Sequence, residues 1–190
     1  KEAVLVGAIV KAFFETGGEP IGNFRLQKAV YFARRHNGEH VDQMDYLKKA
    51  AGPYSPSMKY SGGIAIAKQK EWLHEARGRF GFGHIPGAAA GEMDDWIARY
   101  GYDESARWVA EHFRFKKNEE WETLATIDYA IEHLQSVGIE PDGAQILQYI
   151  RSDDEWRPKI EKLSLTEISV EAATVEVRAL FGAEGKEGST

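Results

Sequence analysis

The sequence has no cysteine in 190 residues, so a disulfide framework, a thiol nucleophile and a thiolate metal site are all excluded. That lack fits a cytoplasmic protein, which is the expected location. Apolar runs are broken by charge or glycine well before about 18 residues, so no membrane span is expected, and no secretory signal is legible. The chain opens on Lys1 where a methionine would stand, and it is expected to be a piece of a longer protein. There is no Walker phosphate loop and no Gly-x-Ser-x-Gly elbow. The Glu-x-Lys element of a nuclease signature occurs only at Glu184–Lys186, in the Gly- and Glu-rich tail, where no site could be preorganised. His36 and His40 are four apart with Gly38 between them and no third ligand nearby, so zinc is not expected. Asp94-Asp95 and Asp153-Asp154-Glu155 could offer carboxylates to magnesium, but adjacent acids at helix ends more often serve as solvated caps. Catalytic, cofactor and metal residues are therefore all expected to be absent.

What is present can fill a core. Hydrophobic residues make up 43% of the chain and aromatic residues 12%, enough for one large domain or two small lobes. Candidate lobes are 1–87 and 92–182, with a disordered tail at 183–190. The net charge of −6 conceals a bipolar chain. Residues 48–80 hold seven bases and two acids, whereas 118–190 hold six bases and sixteen acids. Lys48, Lys49, Lys59, Lys68, Lys70, Arg77 and Arg79, interleaved with Tyr54 and Tyr60, could meet phosphates or an acidic protein surface. The plainer reading is a set of solvated surface charges.

Periodicity predicts a mainly α-helical fold, α+β at the margin, with one small β-hairpin or wing. Leu5, Ile9, Ala12 and Phe13 mark one face of a first helix closed by Gly17-Gly18. Phe24 to His36 reads as a central core helix through Leu26, Ala29, Val30 and Ala33. Gly52-Pro53-Tyr54 is expected to form an ordered turn with Tyr54 at least partly buried. Behind it, Ser57 to Leu73 has the composition of a helix opened by Pro56 and interrupted at its start by Gly62-Gly63, which either cost about 1 kcal/mol each inside a helix or admit another backbone. The alternating stretch from about 74 to 86, with glycines at 78, 81 and 83, predicts the hairpin. Asp103 is a candidate N-cap for a helix burying Ala106, Val109, Ala110 and Phe113. Leu124, Ile127, Ile131 and Leu134 form the stripe of a long helix ended by Gly138. Ser164-Leu165-Thr166-Glu167 has the form of a capping box, with Ile168, Ala172, Val175 and Ala179 as the core stripe behind it.

Two further patterns carry a resemblance. Phe24-Arg25-Leu26-Gln27-Lys28-Ala29-Val30-Tyr31-Phe32-Ala33 is followed about twenty residues later by Ala50-Ala51-Gly52-Pro53-Tyr54. Together they resemble the Leu-Gln-Lys-Leu-x-Tyr and Gly-Pro pattern of Panacea-type antitoxin domains. They resemble more closely an accessory domain found on some specificity subunits of type I restriction systems. Ala29 stands where the antitoxin pattern has leucine. Glu122-Thr123-Leu124-Ala125-Thr126 and Trp156-Arg157-Pro158-Lys159 are similar to later phrases of the restriction-linked domain. The resemblance implies a noncatalytic macromolecule-binding domain in prokaryotic defence, not an enzyme, whose partners are other restriction-modification subunits or a toxin-like protein. The alternative is a winged-helix-like DNA-binding module using the basic segment 48–80 and the wing. In either case the candidate partner residues are Lys48, Lys49, Tyr54, Lys59, Arg77 and Arg79.

Overall fold

Hydrophobic periodicity is realised as helices through most of the chain, and two short antiparallel ladders supply the β-structure. The computed structural model describes residues 1–44, 46–49 and 52–182. The predicted tail at 183–190 and the Ala50-Ala51 half of the Gly-Pro motif lie outside the described residues. Two compact units result: residues 1–37 with 55–116, and residues 38–54 with the chain from 117 onward. The division falls at 37, 54 and 116, where the sequence suggested one break between 87 and 92.

In the first unit, α1 (Glu2–Gly17) buries every residue from Ala3 to Val10. A helix so apolar all round must be covered on several sides, and α1 packs against α2 (Asn23–His36), α4 (Gly63–Gln69), α5 (Asp94–Tyr100) and α6 (Tyr102–Phe113). Gly18 ends α1 in the left-handed conformation, φ 69°, which costs glycine nothing. The expected core residues of α2 and α6 are all buried, and Phe32 stacks on Phe113 with ring centroids 4.2 Å apart. Gln27 of α2 is buried with both ends of its amide used: Nε2 donates to the Ser55 carbonyl at 3.2 Å, and Oε1 accepts from the Ser55 N–H at 3.4 Å. This bidentate contact fixes the chain that enters α3 (Pro56–Tyr60), which has proline in its first turn.

The single helix expected from Ser57 to Leu73 is instead two, α3 and α4, broken at Ser61-Gly62. The break is where α1 arrives. The Gly63 N–H donates to the Glu2 carboxylate at 2.6 Å, and a Cβ on Gly63 would sit 2.7 Å from Glu2 Cγ. The glycines thus admit another element, as one of the two readings had it.

In the second unit, α7 (Asn118–Ser136) buries Leu124, Ile127, Ile131 and Leu134. It packs on α8 (Gly143–Ser152), α10 (Glu167–Phe181) and the β1–β2 ladder. Gly52-Pro53-Tyr54 is not a turn: it is strand β2, paired antiparallel with β1 (Leu47–Lys49). The partner strand ends only three positions earlier, with Lys49 opposite Gly52, so the pairing is between near neighbours in sequence, and the Gly-Pro dipeptide, whose residues are both depleted in strands, does not announce it. Tyr54 is half-buried, opposite Leu47.

Two caps and one stripe also differ from expectation. The N-cap of α6 is Gly101, and Asp103 lies within the first turn, paired with Arg107. The cap of α10 is Thr166, whose side chain accepts from Ser169 N–H at 3.1 Å, so the Ser164–Glu167 box does not form. The buried stripe is Val170, Thr174 and Val177. Val175 is 62% exposed and Ile168 84%, with Ala172 and Ala179 outward beside them.

Below α7 lies a buried ion pair. Lys159, at the start of α9 (Lys159–Lys162), donates to Glu122 at 2.5 Å with both side chains almost inaccessible, and Lys162 reaches the same carboxylate at 2.9 Å. Burial works to raise the Glu122 carboxyl, but the hydrogen bonds from the two lysines outweigh it and hold it below its ordinary value. Burial pulls the Lys159 ammonium down, and Glu122 offsets only part of that. Removing one partner of such a pair leaves a buried charge uncompensated. Glu122→Leu is therefore expected to lose about 3–5 kcal/mol in urea unfolding, and Glu122→Leu/Lys159→Met to recover most of it. Equal stability of the single variant and the parent would refute the pair's role.

Candidate functional site

The hairpin expected near 74–86 forms as β3 (Leu73–Gly78) and β4 (Gly81–Pro86), joined by the two-residue turn Arg79-Phe80. Gly81 takes φ 116°, a value few side chains tolerate. The base of the hairpin is built into the first unit. Leu73 is buried, and an isolated bridge ties β4 to the segment before α2: Ile21 N–H donates to the His84 carbonyl at 3.1 Å, and His84 N–H to the Ile21 carbonyl at 2.8 Å. A Cβ on Gly83 would lie 2.8 Å from the Ile21 backbone, and one on Gly78 would lie 2.6 Å from Pro20 Cδ. Those two glycines are therefore contact points for the 19–21 segment, where the sequence suggested only turn glycines.

The buried His84 ring completes the clamp. Its Nε2 is 2.7 Å from Asn23 Oδ1, which can only accept, so Nε2 carries the proton and Nδ1 is the bare nitrogen. Nδ1 is buried without a hydrogen-bond partner. Burial lowers the His84 pKa below its ordinary 6.5, with Glu75 opposing the shift and Lys68 adding to it.

Beyond the clamp the hairpin turns outward. Phe80 is 89% exposed and Phe82 75%. Arg77 and Phe82 stand directly opposite each other in the ladder, with the guanidinium 5.8 Å from the ring centroid, and Arg79 lies 5.8 Å from the Phe80 ring. These are cation–π distances. The turn is steadied by Glu19, whose carboxylate accepts from the Arg79 N–H at 3.1 Å. Two exposed phenylalanines are thus held beside two arginines on a clamped hairpin.

Of the six candidate partner residues, Arg77 and Arg79 are brought together at this tip. Lys59 lies elsewhere in the same unit, on α3, with its ammonium 5.1 Å from the exposed Tyr60 ring. Tyr54 belongs to the other unit. Lys48 and Lys49 stand on β1 opposite Pro53 and Gly52, and their side chains lie outside the described residues. Sequence reasoning missed Phe80 and Phe82. The signal was available: a phenylalanine inside a two-residue turn, and a second one between two glycines, cannot both reach a core. Among the described residues no group of three or more His, Asp or Glu is placed to hold a metal ion, and no helix is long and apolar enough to cross a membrane.

The clamp has a pH signature. Because the folded pKa of His84 lies below its unfolded value, the unfolded chain takes up the proton more readily. The stability from neutral His84 is complete above pH 6.5 and is lost as the pH falls from there through the lowered folded value. His36, half-buried and stacked on Trp108, is shifted the same way by burial. His84→Gln should therefore flatten the fall in melting temperature between about pH 7.5 and 5 without abolishing it. An unchanged slope would show that His84 does not carry the effect.

No family model matches the sequence, and no curated protein or solved structure matches it either.

Proposed function

We propose that this chain is a noncatalytic macromolecule-binding domain of a cytoplasmic prokaryotic defence protein, associated with a type I restriction-modification system. The β3–β4 tip is the element that engages its partner. The observation that carries this reading is the pair of exposed phenylalanines, Phe80 and Phe82, each beside an arginine on an anchored hairpin. Aromatic residues and arginine are the types enriched where protein surfaces meet, and such residues dominate binding energy. The defence assignment rests on the resemblance of the Leu26–Phe32, Gly52-Pro53-Tyr54, Glu122 and Trp156–Lys159 phrases to the restriction-linked accessory domain.

An acidic protein surface suits this tip better than a DNA duplex. Two arginines supply few phosphate contacts, and the nearby Lys68 is already 2.7 Å from Glu75. In a winged-helix arrangement α4 would be the helix before the wing; it is seven residues long and turns Gly63, Ile64 and Ala67 inward. A toxin-like protein, the antitoxin reading, would meet the same tip with the same chemistry.

The test is co-expression of the chain with the products of its neighbouring reading frames, followed by affinity purification. One product should co-purify with the parent, and its capture should fall at least about tenfold in Phe80→Ser/Phe82→Ser and in Arg77→Glu/Arg79→Glu. Lys48→Glu/Lys49→Glu, on the other unit, should leave capture unchanged. Undiminished capture by both hairpin variants would remove the tip from the interface. Oligonucleotide binding that weakens steeply between about 50 and 200 mM salt and is lost in Arg77→Glu/Arg79→Glu would replace the protein partner with DNA.

A further inference from the structure

The outward face of α10 is the second unexplained surface. Ile168, Ala172, Val175 and Ala179 recur at intervals of four, three and four, the spacing of a helix–helix seam. They lie on the side of α10 opposite Val170, Thr174 and Val177, which face the second unit's core. We infer that this face pairs antiparallel with the same face of a second copy of the chain.

The orientation follows from size and charge. In an antiparallel pair with Ala172 facing Val175 of the second copy, Ile168 faces Ala179, so a large side chain meets a small one at every level. In a parallel pair Ile168 would meet Ile168 and Ala172 would meet Ala172, alternating crowding with gaps. Charge points the same way. Glu171 and Arg178 flank the seam on one side, and antiparallel packing sets Glu171 of one helix beside Arg178 of the other, twice by symmetry. Parallel packing would instead set Glu171 against Glu176. Both flanking groups are already oriented, Glu171 accepting from Gly143 N–H at 2.7 Å and Arg178 donating to Glu140 at 2.8 Å. Each retains capacity for more, since a carboxylate accepts at two oxygens and a guanidinium has five N–H donors.

Four small or medium residues per helix bury on the order of 800 Å² in total, below the roughly 1,200 Å² of a stable interface, so the dimer is weak and concentration-dependent. Sedimentation velocity should show monomer near about 5 μM shifting towards dimer near about 500 μM. Ile168→Asp/Val175→Asp, which replaces two exposed residues, should keep its melting temperature and remain monomeric throughout. Orientation is read by crosslinking, because the chain has no native cysteine. A mixture of Ile168→Cys and Ala179→Cys proteins should form the mixed disulfide on oxidation. Ile168→Cys alone should form none, since antiparallel packing separates its two copies by about 16 Å. A parent that stays monomeric at the highest concentration, or an aspartate variant that still dimerises, would overturn the inference. Self-crosslinking of Ile168→Cys would overturn the antiparallel arrangement.

Discussion

The two-way backbone bridge between Ile21 and His84 is the constraint on which the proposed binding surface depends. A two-stranded hairpin is marginal alone in water, and this one gains a third partner from the segment that leads into α2. Asn23 opens α2 and also holds the His84 ring, so the hairpin base is tied to the best-buried helix of its unit through backbone and side chain together. Gly78 and Gly83 let the 19–21 segment come close enough for this. The arginines and phenylalanines of the tip then inherit an anchored base, which limits the ordering entropy that binding would otherwise cost.

The phrases that carry the resemblance to the restriction-linked domain turn out to be those that hold each unit together. Gln27, in the Leu26-Gln27-Lys28 phrase, secures both backbone groups of Ser55, the residue after Gly52-Pro53-Tyr54. Glu122 and Lys159, one in each of the two later phrases, meet as the buried ion pair. Trp156, fully buried, sits edge-on to the Tyr129 ring at 5.3 Å. Buried polar side chains of this kind must be satisfied by particular partners, so such phrases report a fold more directly than an activity. The proposed contact surface is made of other residues, at Arg77–Phe82, and rests on their own exposure and chemistry.

How much of this was legible in the sequence follows from the range of the interactions. Helices α2, α6 and α7 could be read because their stripes are local, as are the glycines just past α2 and α7, and the hairpin because alternation and glycine spacing are local. Gly52-Pro53-Tyr54 did not read as a strand because glycine and proline are both depleted in strands, although its partner β1 ends only three positions earlier. The stripe on α10 was placed on the wrong side because periodicity shows a face without showing which way it points. Ile168, Ala172, Val175 and Ala179 are more apolar than the face that is buried, which includes Thr174. The same excess of apolar character on an exposed face is what suggests a second copy there. At the hairpin, Phe80 and Phe82 follow the two arginines, and their placement in a two-residue turn and between two glycines is the trace that their exposure leaves in the sequence.

The hairpin tip is proposed as the place where this domain meets a protein partner. The most direct measurement places a photo-crosslinking benzophenone side chain at Phe80 in the producing cell, with Phe14 on α1, 40% exposed, as the control position. Irradiation should give one discrete protein adduct at position 80, absent at position 14 and absent when Arg77→Glu/Arg79→Glu is added. No adduct at position 80, an adduct unaffected by reversing the arginines, or an adduct made of nucleic acid would contradict it.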